Sequence, residues 1–409
     1  MNFIPRTVCI EGFNSRGRFT LEREDKLMMR KLLPTLLCLL LLIALPVQAE
    51  EELSLEEILS GANPEVVSST VVQPEATVEE GEAVESIYEN DGSVLITVTG
   101  TGDFTVGGDS RKRSNIFDEE LERQGGDIQF AMRNIRDILL ADDLTIVNFE
   151  GTLTESTYVP PDKRENQFLF SAPPSYVAML TENGVEAVSL ENNHVMDHGE
   201  EVYQETMDTL RDAGVVYSNS AEIGVIEVKG VQIAMLSYLC IDRYNKLWDV
   251  VPADIQAAKA QYPIVIVSFH WGNETYYQPT DNQVKMGRLA VDAGADLVLG
   301  HHSHRIQPIE QYKGVYICYS LGNFCFAGNR KPSDMSSYLF QTRFRVRDGV
   351  VSNEGFRIIP IRISSRTDRN DFIPTVLDKD TAIDSILSTL AENGRKLEYA
   401  VPTYPTSWE

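Results

Sequence analysis

The six histidines of this 409-residue chain all fall between positions 194 and 304: His194, His198, His270, His301, His302 and His304. Imidazoles bind transition metals and move protons near neutral pH. His302 and His304, two residues apart directly after the apolar run Leu297-Val298-Leu299, can converge on one ion. Metal sites of mixed nitrogen and oxygen donors also need carboxylates and amides. Such residues stand in comparable places. Asp103 follows Gly102, Glu150 closes Val147-Asn148-Phe149, Asn193 precedes His194, and Glu274 lies four residues after His270. Taken alone, Asp103 reads as a turn residue and Glu150 as a helix cap. Asp197, three residues after His194, either orients an imidazole or caps the next helix, and Glu274 is equally ambiguous. The clustering of these groups with the histidines is what points to a metal site.

Strands alternating with helices must position them. Val94 to Thr99, Leu144 to Asn148, Glu186 to Leu190, Val231 to Tyr238, Ile264 to Phe269, Leu297 to Leu299 and Gly314 to Ser320 read as strands. Helical spacing of apolar residues runs over Phe130 to Leu140, Pro174 to Asn183, Val202 to Ala213, Val284 to Ala293 and Thr381 to Asn393. Tyr338 to Val346 and Phe356 to Ile363 are late alternating strands. This order predicts an α/β domain, in which ligands gather at the C-terminal ends of the strands. The candidate residues sit there.

Composition narrows the partners. The formal net charge is −25, which excludes a nucleic-acid backbone as the main partner because phosphates call for Lys and Arg. Met29-Arg30-Lys31 precedes an apolar run from Leu32 to Leu45 and then Pro46-Val47-Gln48-Ala49, the pattern of a cleavable export signal. Retention of this run as a membrane anchor, with the domain still outside, is the alternative, although a span calls for about 20 apolar residues. The expected organisation is an N-terminal extension and signal over 1–49, an acidic linker over 50–92 and a domain over 93–409. The chain after the signal holds 29 basic and 57 acidic residues, a net −28. Its three cysteines, Cys240, Cys318 and Cys325, are expected to be buried core residues.

Gly102-Asp103, Asn148-Phe149-Glu150, Asn192-Asn193-His194 with Asp197 and Gly199, His270-Trp271-Gly272 with Glu274, Gly300-His301-His302-Ser303-His304, and Ser320-Leu321-Gly322-Asn323-Phe324 occur in that order. Together they resemble the capsule-synthesis CapA (poly-γ-glutamate biosynthesis) family, a divergent branch of the calcineurin-like metallophosphatases. The resemblance spans about Val94 to Ile363. It implies a four-layer αββα sandwich with a centre for one or two divalent transition metals, Mn, Fe or Zn. On that pattern Asp103 and His304 would bind one metal and Glu150 would bridge. Asn193, His270 and His302 would bind the other, with the register of His301 against His302 left open. His194 would be a general acid, assisted by Asp197. The family pattern has Asp-x-His after the first strand, whereas Asp103-Phe104-Thr105 lacks the histidine, so the first metal loses a ligand. The implied function is a hydrolase-like role in making, releasing or attaching a surface polymer. The implied partners are an anionic polymer such as poly-γ-glutamate and membrane polymer-synthesis machinery. A non-catalytic accessory subunit and a surface phosphoesterase unrelated to capsule remain alternatives. Arg111-Lys112-Arg113 and Arg305 are the nearest cations for a polyanion.

Overall fold

The computed structural model describes residues 86–408 apart from 110, 113 and 166; the expected export signal and most of the expected acidic linker lie outside the described residues. Among the described residues no helix is long and apolar enough to cross a membrane.

The strands are β1 (Val94–Thr105), β2 (Leu144–Phe149), β3 (Thr152–Leu153), β4 (Ser171–Ala172), β5 (Ala187–Ser189), β6 (Val216–Ser218), β7 (Gly224–Val228), β8 (Val231–Leu239), β9 (Ile264–His270), β10 (Leu297–His301), β11 (Ile306–Tyr312), β12 (Val315–Leu321), β13 (Asn323–Phe326), β14 (Ser336–Arg347), β15 (Val350–Arg362) and β16 (Thr375–Val376). Two sheets carry the fold. One runs β16-β15-β14-β1-β2-β5-β6 with β13 also paired to β1, and the other runs β11-β12-β10-β9-β8-β7. Strands β1, β2, β5 and β6 are parallel, as are β8, β9, β10 and β12.

Three apolar layers separate four structural ones. Ile96, Val98 and Ile146 of one sheet meet Ile233, Ile266 and Leu299 of the other. Alternate residues Phe104, Val147 and Val188 face outward onto Phe117, Met179 and Leu210 of helical segments. On the far side Val265, Val267 and Val298 pack on Ile255, Met286 and Ala290. Period-two alternation in buried strands thus serves a different layer on each face. The result is the αββα sandwich expected from the sequence. Cys240, Cys318 and Cys325 are buried free thiols, as expected.

The predicted helix over Phe130 to Leu140 is corrected. The chain there forms a 3₁₀ turn, Ile128–Ala131, and a single α-turn, Arg136–Leu139. Phe130, Ala131 and Met132 are all buried. One continuous helix would spread three consecutive side chains around its circumference and expose one of them. The helices Ile116–Arg123 and Val250–Lys259 and strand β11 are additional to the sequence reading.

Candidate metal centre

The parallel strands of both sheets deliver their ends to one place. Strand β1 pairs with β14 through Gly100, then exchanges that neighbour for β13 at Asp103. The switch requires a close approach: the Asp103 N–H donates to the Gly322 carbonyl at 2.9 Å, and a Cβ on Gly102 would lie 2.1 Å from that oxygen. Only glycine fits beside it. Asp103 is thereby fixed inside the sandwich with its side chain fully buried.

Asp103 Oδ1 accepts from Asn148 Nδ2 at 2.9 Å and lies 3.6 Å from His301 Nδ1. Its Oδ2 lies 3.1 Å from His304 Nδ1, which itself donates to Asn323 Oδ1 at 2.8 Å. Glu150, anchored by its N–H to the Phe104 carbonyl, is the hub. Its Oε1 is 3.8 Å from His194 Nε2 and 4.0 Å from both His270 Nε2 and His304 Nε2. His270 Nε2 meets Asn193 Oδ1 at 2.6 Å, and the His270 and His302 ring centroids are 4.7 Å apart. Every residue proposed for the site from the sequence, Asp103, Glu150, Asn193, His194, Asp197, His270, His302 and His304, is in this cluster or bonded to it. The His301 and His302 alternatives both line it, His301 beside Asp103 and His302 beside His270.

Backbone strain aims two of the rings. His302 and His304 have φ of +88° and +51°, a left-handed region that side-chain-bearing residues avoid. Such strain, held by surrounding structure, clusters at functional sites.

Burial and neighbouring charges shift the titratable groups of this cluster against one another. Burial alone would raise the Asp103 pKa, yet the adjacent His301 and His304 imidazoles hold it well below the usual range. Glu150 is pushed up to about 7 by burial and by the charge of Asp103. His304 is held at about 10 because the Glu150 and Asp103 carboxylates outweigh burial. His302 falls to about 4 through burial and the neighbouring His304, and His270 is driven well down by burial and His302, so both stay neutral and able to donate a lone pair. Asp103 Oδ2, both Glu150 oxygens, both His301 nitrogens and His302 Nδ1 are buried with no hydrogen-bond partner. Buried acceptors are rarely left so. One oxygen or nitrogen each from Asp103, Glu150 and His304 lies within 4.8 Å of the others, and Glu274, His302 and His304 form a second such group. Imidazole with carboxylate suits Mn, Fe or Zn, so the residues fit the metal that the resemblance implies.

Beside the cluster, His194 Nδ1 donates to Asp197 Oδ2 at 2.7 Å, leaving Nε2 facing Glu150. Asp197 also accepts from the Phe170 N–H at 2.9 Å and from Lys163 Nζ at 3.1 Å. It orients the imidazole and caps no helix: Gly199 occupies the N-cap of Glu200–Asp212. Burial works against charge on His194, but Asp197 and the charge of Glu150 raise its pKa. His198 donates instead to the Tyr158 carbonyl at 2.7 Å. Lys163, Asn148 and Asn323 are participants the sequence reading gave no role. Asn148 and Asn323 stood within quoted motifs, whereas Lys163 lies in a loop with no local signal. The suggested basic patch is partly spent, since Arg111 pairs with Asp109 at 2.8 Å and Arg305 donates to Ser333 and to the His304 carbonyl.

The chain is 33% identical over 253 residues to the PGA biosynthesis protein CapA of Bacillus subtilis, covering 57% of this chain and 63% of that one. It is 28% identical over 272 residues to the capsule biosynthesis protein CapA of Bacillus anthracis, covering 61% and 64% respectively. The match thus spans a little under two thirds of the length of these curated relatives. Among solved structures, the calcineurin-like phosphoesterase YfkN from Bacillus subtilis is similar at a TM-score of 0.40 and 14% identity, covering 74% of this chain and 100% of that one. The family described as bacterial capsule synthesis protein PGA_cap matches residues 97–328. That stretch runs from β1 to just past β13 and takes in every residue of the centre, over more than half of the chain, so the chain belongs to the PGA_cap family of bacterial capsule synthesis proteins.

Proposed function

We propose that this protein is an exported, metal-dependent hydrolase of surface-polymer synthesis, acting on an anionic polymer of the poly-γ-glutamate type alongside membrane polymer-synthesis machinery. The observation that carries the reading is the convergence of unpartnered Asp103 and Glu150 oxygens with His301 and His302 beside the inward-facing Nε2 of His194. Family membership supports the polymer, and the N-terminal apolar run supports export.

Asp103, Glu150 and His304 would hold one cation, with His270, Asn193 and His302 beside it. A divalent cation there would polarise a phosphoryl or carbonyl oxygen of the substrate and acidify a water molecule. His194 supplies the proton for the leaving group. Its Nδ1–H is committed to Asp197, and its raised pKa keeps Nε2 protonated closer to neutral pH. Asp197 stabilises the imidazolium, while the Phe170 N–H and Lys163 keep that carboxylate in place.

The test measures metal content of the purified protein by elemental analysis, and turnover of bis(p-nitrophenyl) phosphate and γ-glutamyl p-nitroanilide. Retained Mn, Fe or Zn with turnover of either substrate is expected. Absence of metal would remove the site assignment. Metal-dependent polymer binding without turnover would put the non-catalytic accessory subunit in its place.

A further inference from the structure

Arg343 on β14 and Arg357 on β15 share one indole. Their guanidinium carbons lie 3.9 Å and 5.1 Å from the centre of the Trp408 ring, close enough for an aromatic face to hold a cation. A fixed segment brings Trp408 there. The Gln311 N–H donates to the Tyr399 carbonyl at 2.9 Å, the Val401 N–H to the Ile309 carbonyl at 3.0 Å, and the Ile358 N–H to the Pro405 carbonyl at 2.8 Å. The chain after Tyr399 is thus bonded to β11 and β15. Trp408 and Arg343 line a cavity of about 370 Å³ together with Gln311, Tyr316 and Thr403.

Among the described residues no carboxylate neutralises the two arginines. Arg357 donates its Nε–H to the neutral Gln341 Oε1 at 2.8 Å. Arg343 makes no hydrogen bond or ion pair there, and its Nε is buried without a partner. Glu354, at the same cavity, is held by Arg345 at 3.2 Å. Burial and then the charge of Arg343 lower the Arg357 pKa, as two cations with no anion between them would. Buried donors are rarely left unpaired, and this chain has a net charge of −25. A guanidinium laid on an aromatic face keeps its N–H edge for an oxyanion, which it grips with two parallel hydrogen bonds. Arg343 stands opposite Thr97 of β1, six residues before Asp103. At about 3.3 Å per residue the pair lies on the order of 20 Å from the metal centre.

Resting on the polymer reading above, we infer that Arg343 and Arg357, stacked on Trp408, form an oxyanion site for carboxylates of the anionic polymer, separate from the metal centre. An anion there relieves the repulsion between the guanidiniums and supplies acceptors for Arg343. The site holds polymer well away from the centre, so it matters for long chains and not for short substrates.

The experiment titrates the full chain with poly-γ-glutamate and with inorganic phosphate by isothermal titration calorimetry. Wild type is expected to bind the polymer. Arg343→Gln and Arg357→Gln should each weaken it at least about tenfold, the order of a lost charge-assisted hydrogen bond, with turnover of γ-glutamyl p-nitroanilide unchanged. Arg343→Lys keeps the charge without the fork and should fall between wild type and Arg343→Gln, which keeps the test open if the glutamine variant melts early. Glu409, next to Trp408 in the sequence, lies outside the described residues, so Glu409→Gln is titrated as well. Polymer binding that appears only in Glu409→Gln would make the chain's own carboxylate the occupant and overturn the inference. Unchanged polymer affinity in all the arginine variants, or Arg343-dependent binding of phosphate alone, would overturn it too. Arg343-dependent polymer binding in a wild type without turnover would instead overturn the hydrolase reading and leave this site standing.

Discussion

Buried or partly buried carboxylates gather at both ends of the central strands, and the two clusters behave differently. At the far end from the metal centre, Asp143 Oδ2 accepts from the Thr97 N–H at 2.8 Å and from Lys229 at 2.9 Å, and Glu186 accepts from the Thr145 N–H at 2.8 Å. Asp142 Oδ2 accepts from the Thr145 hydroxyl at 2.7 Å, while its Oδ1 is buried without a partner and faces the carboxylates of Glu186 and Asp143 rather than imidazoles. These groups cap backbone and hold strand starts. At the other end the Asp103 and Glu150 carboxylates leave three oxygens without partners and face imidazoles. An unsatisfied carboxylate oxygen alone does not make a site; several of them converging with imidazole donors do.

If that contrast is right, His304→Ala has the largest effect, because His304 belongs to both donor groups. It should remove the bound metal, measured by elemental analysis, and abolish turnover, with a folded thermal transition retained. Metal content equal to wild type would erase the distinction between the two ends. Next comes His194→Ala, which should keep the metal and lower kcat by about 10²–10⁴-fold, the usual contribution of a general acid. Undiminished turnover would leave His194 a structural residue. Lys163→Met should act more mildly. Asp197 keeps its bond from the Phe170 N–H, so kcat is expected to fall by less than tenfold, under about 1.4 kcal/mol. A drop as large as that of His194→Ala would show that Lys163 itself handles substrate.

The centre was legible because its residues follow strands in recognisable motifs, and a parallel α/β sheet forces strand ends together. Both His301 and His302 could not be placed beforehand, because the outcome depends on positive φ at His302 and His304, which no neighbouring glycine signals. Lys163 was hidden for a different reason: a loop lysine 34 residues from Asp197 becomes its partner only through tertiary folding. The helix expected over Phe130 to Leu140 breaks at its start, where Phe130, Ala131 and Met132 are buried in succession, although Met132, Ile135 and Leu139 keep helical spacing. Spacing reports one buried face, and Phe130 lies off it.

The far cluster gives the smallest effect and the sharpest check on the contrast. Burial, with Glu186 and Asp143 nearby, pushes Asp142 up to about 7 from an ordinary 3.8. Its folded pKa lies above its unfolded one, so the native state binds the extra proton between about pH 4 and pH 7. Stability from this group is therefore full below about pH 4 and is lost as the pH rises through 7. The shift sets a ceiling of about 4 kcal/mol, at about 1.36 kcal/mol per unit. Asn at this position is neutral throughout and its carbonyl still accepts from the Thr145 hydroxyl. Asp142→Asn should thus raise Tm by a few degrees at pH 8 and by about a quarter as much at pH 4.5, with metal content unchanged. Thermal melts of both proteins at the two pH values decide it. An equal or lower Tm for the variant at pH 8 would mean that the ionised Asp142 is structurally required, and that the two ends of the strands differ less than their hydrogen bonds indicate.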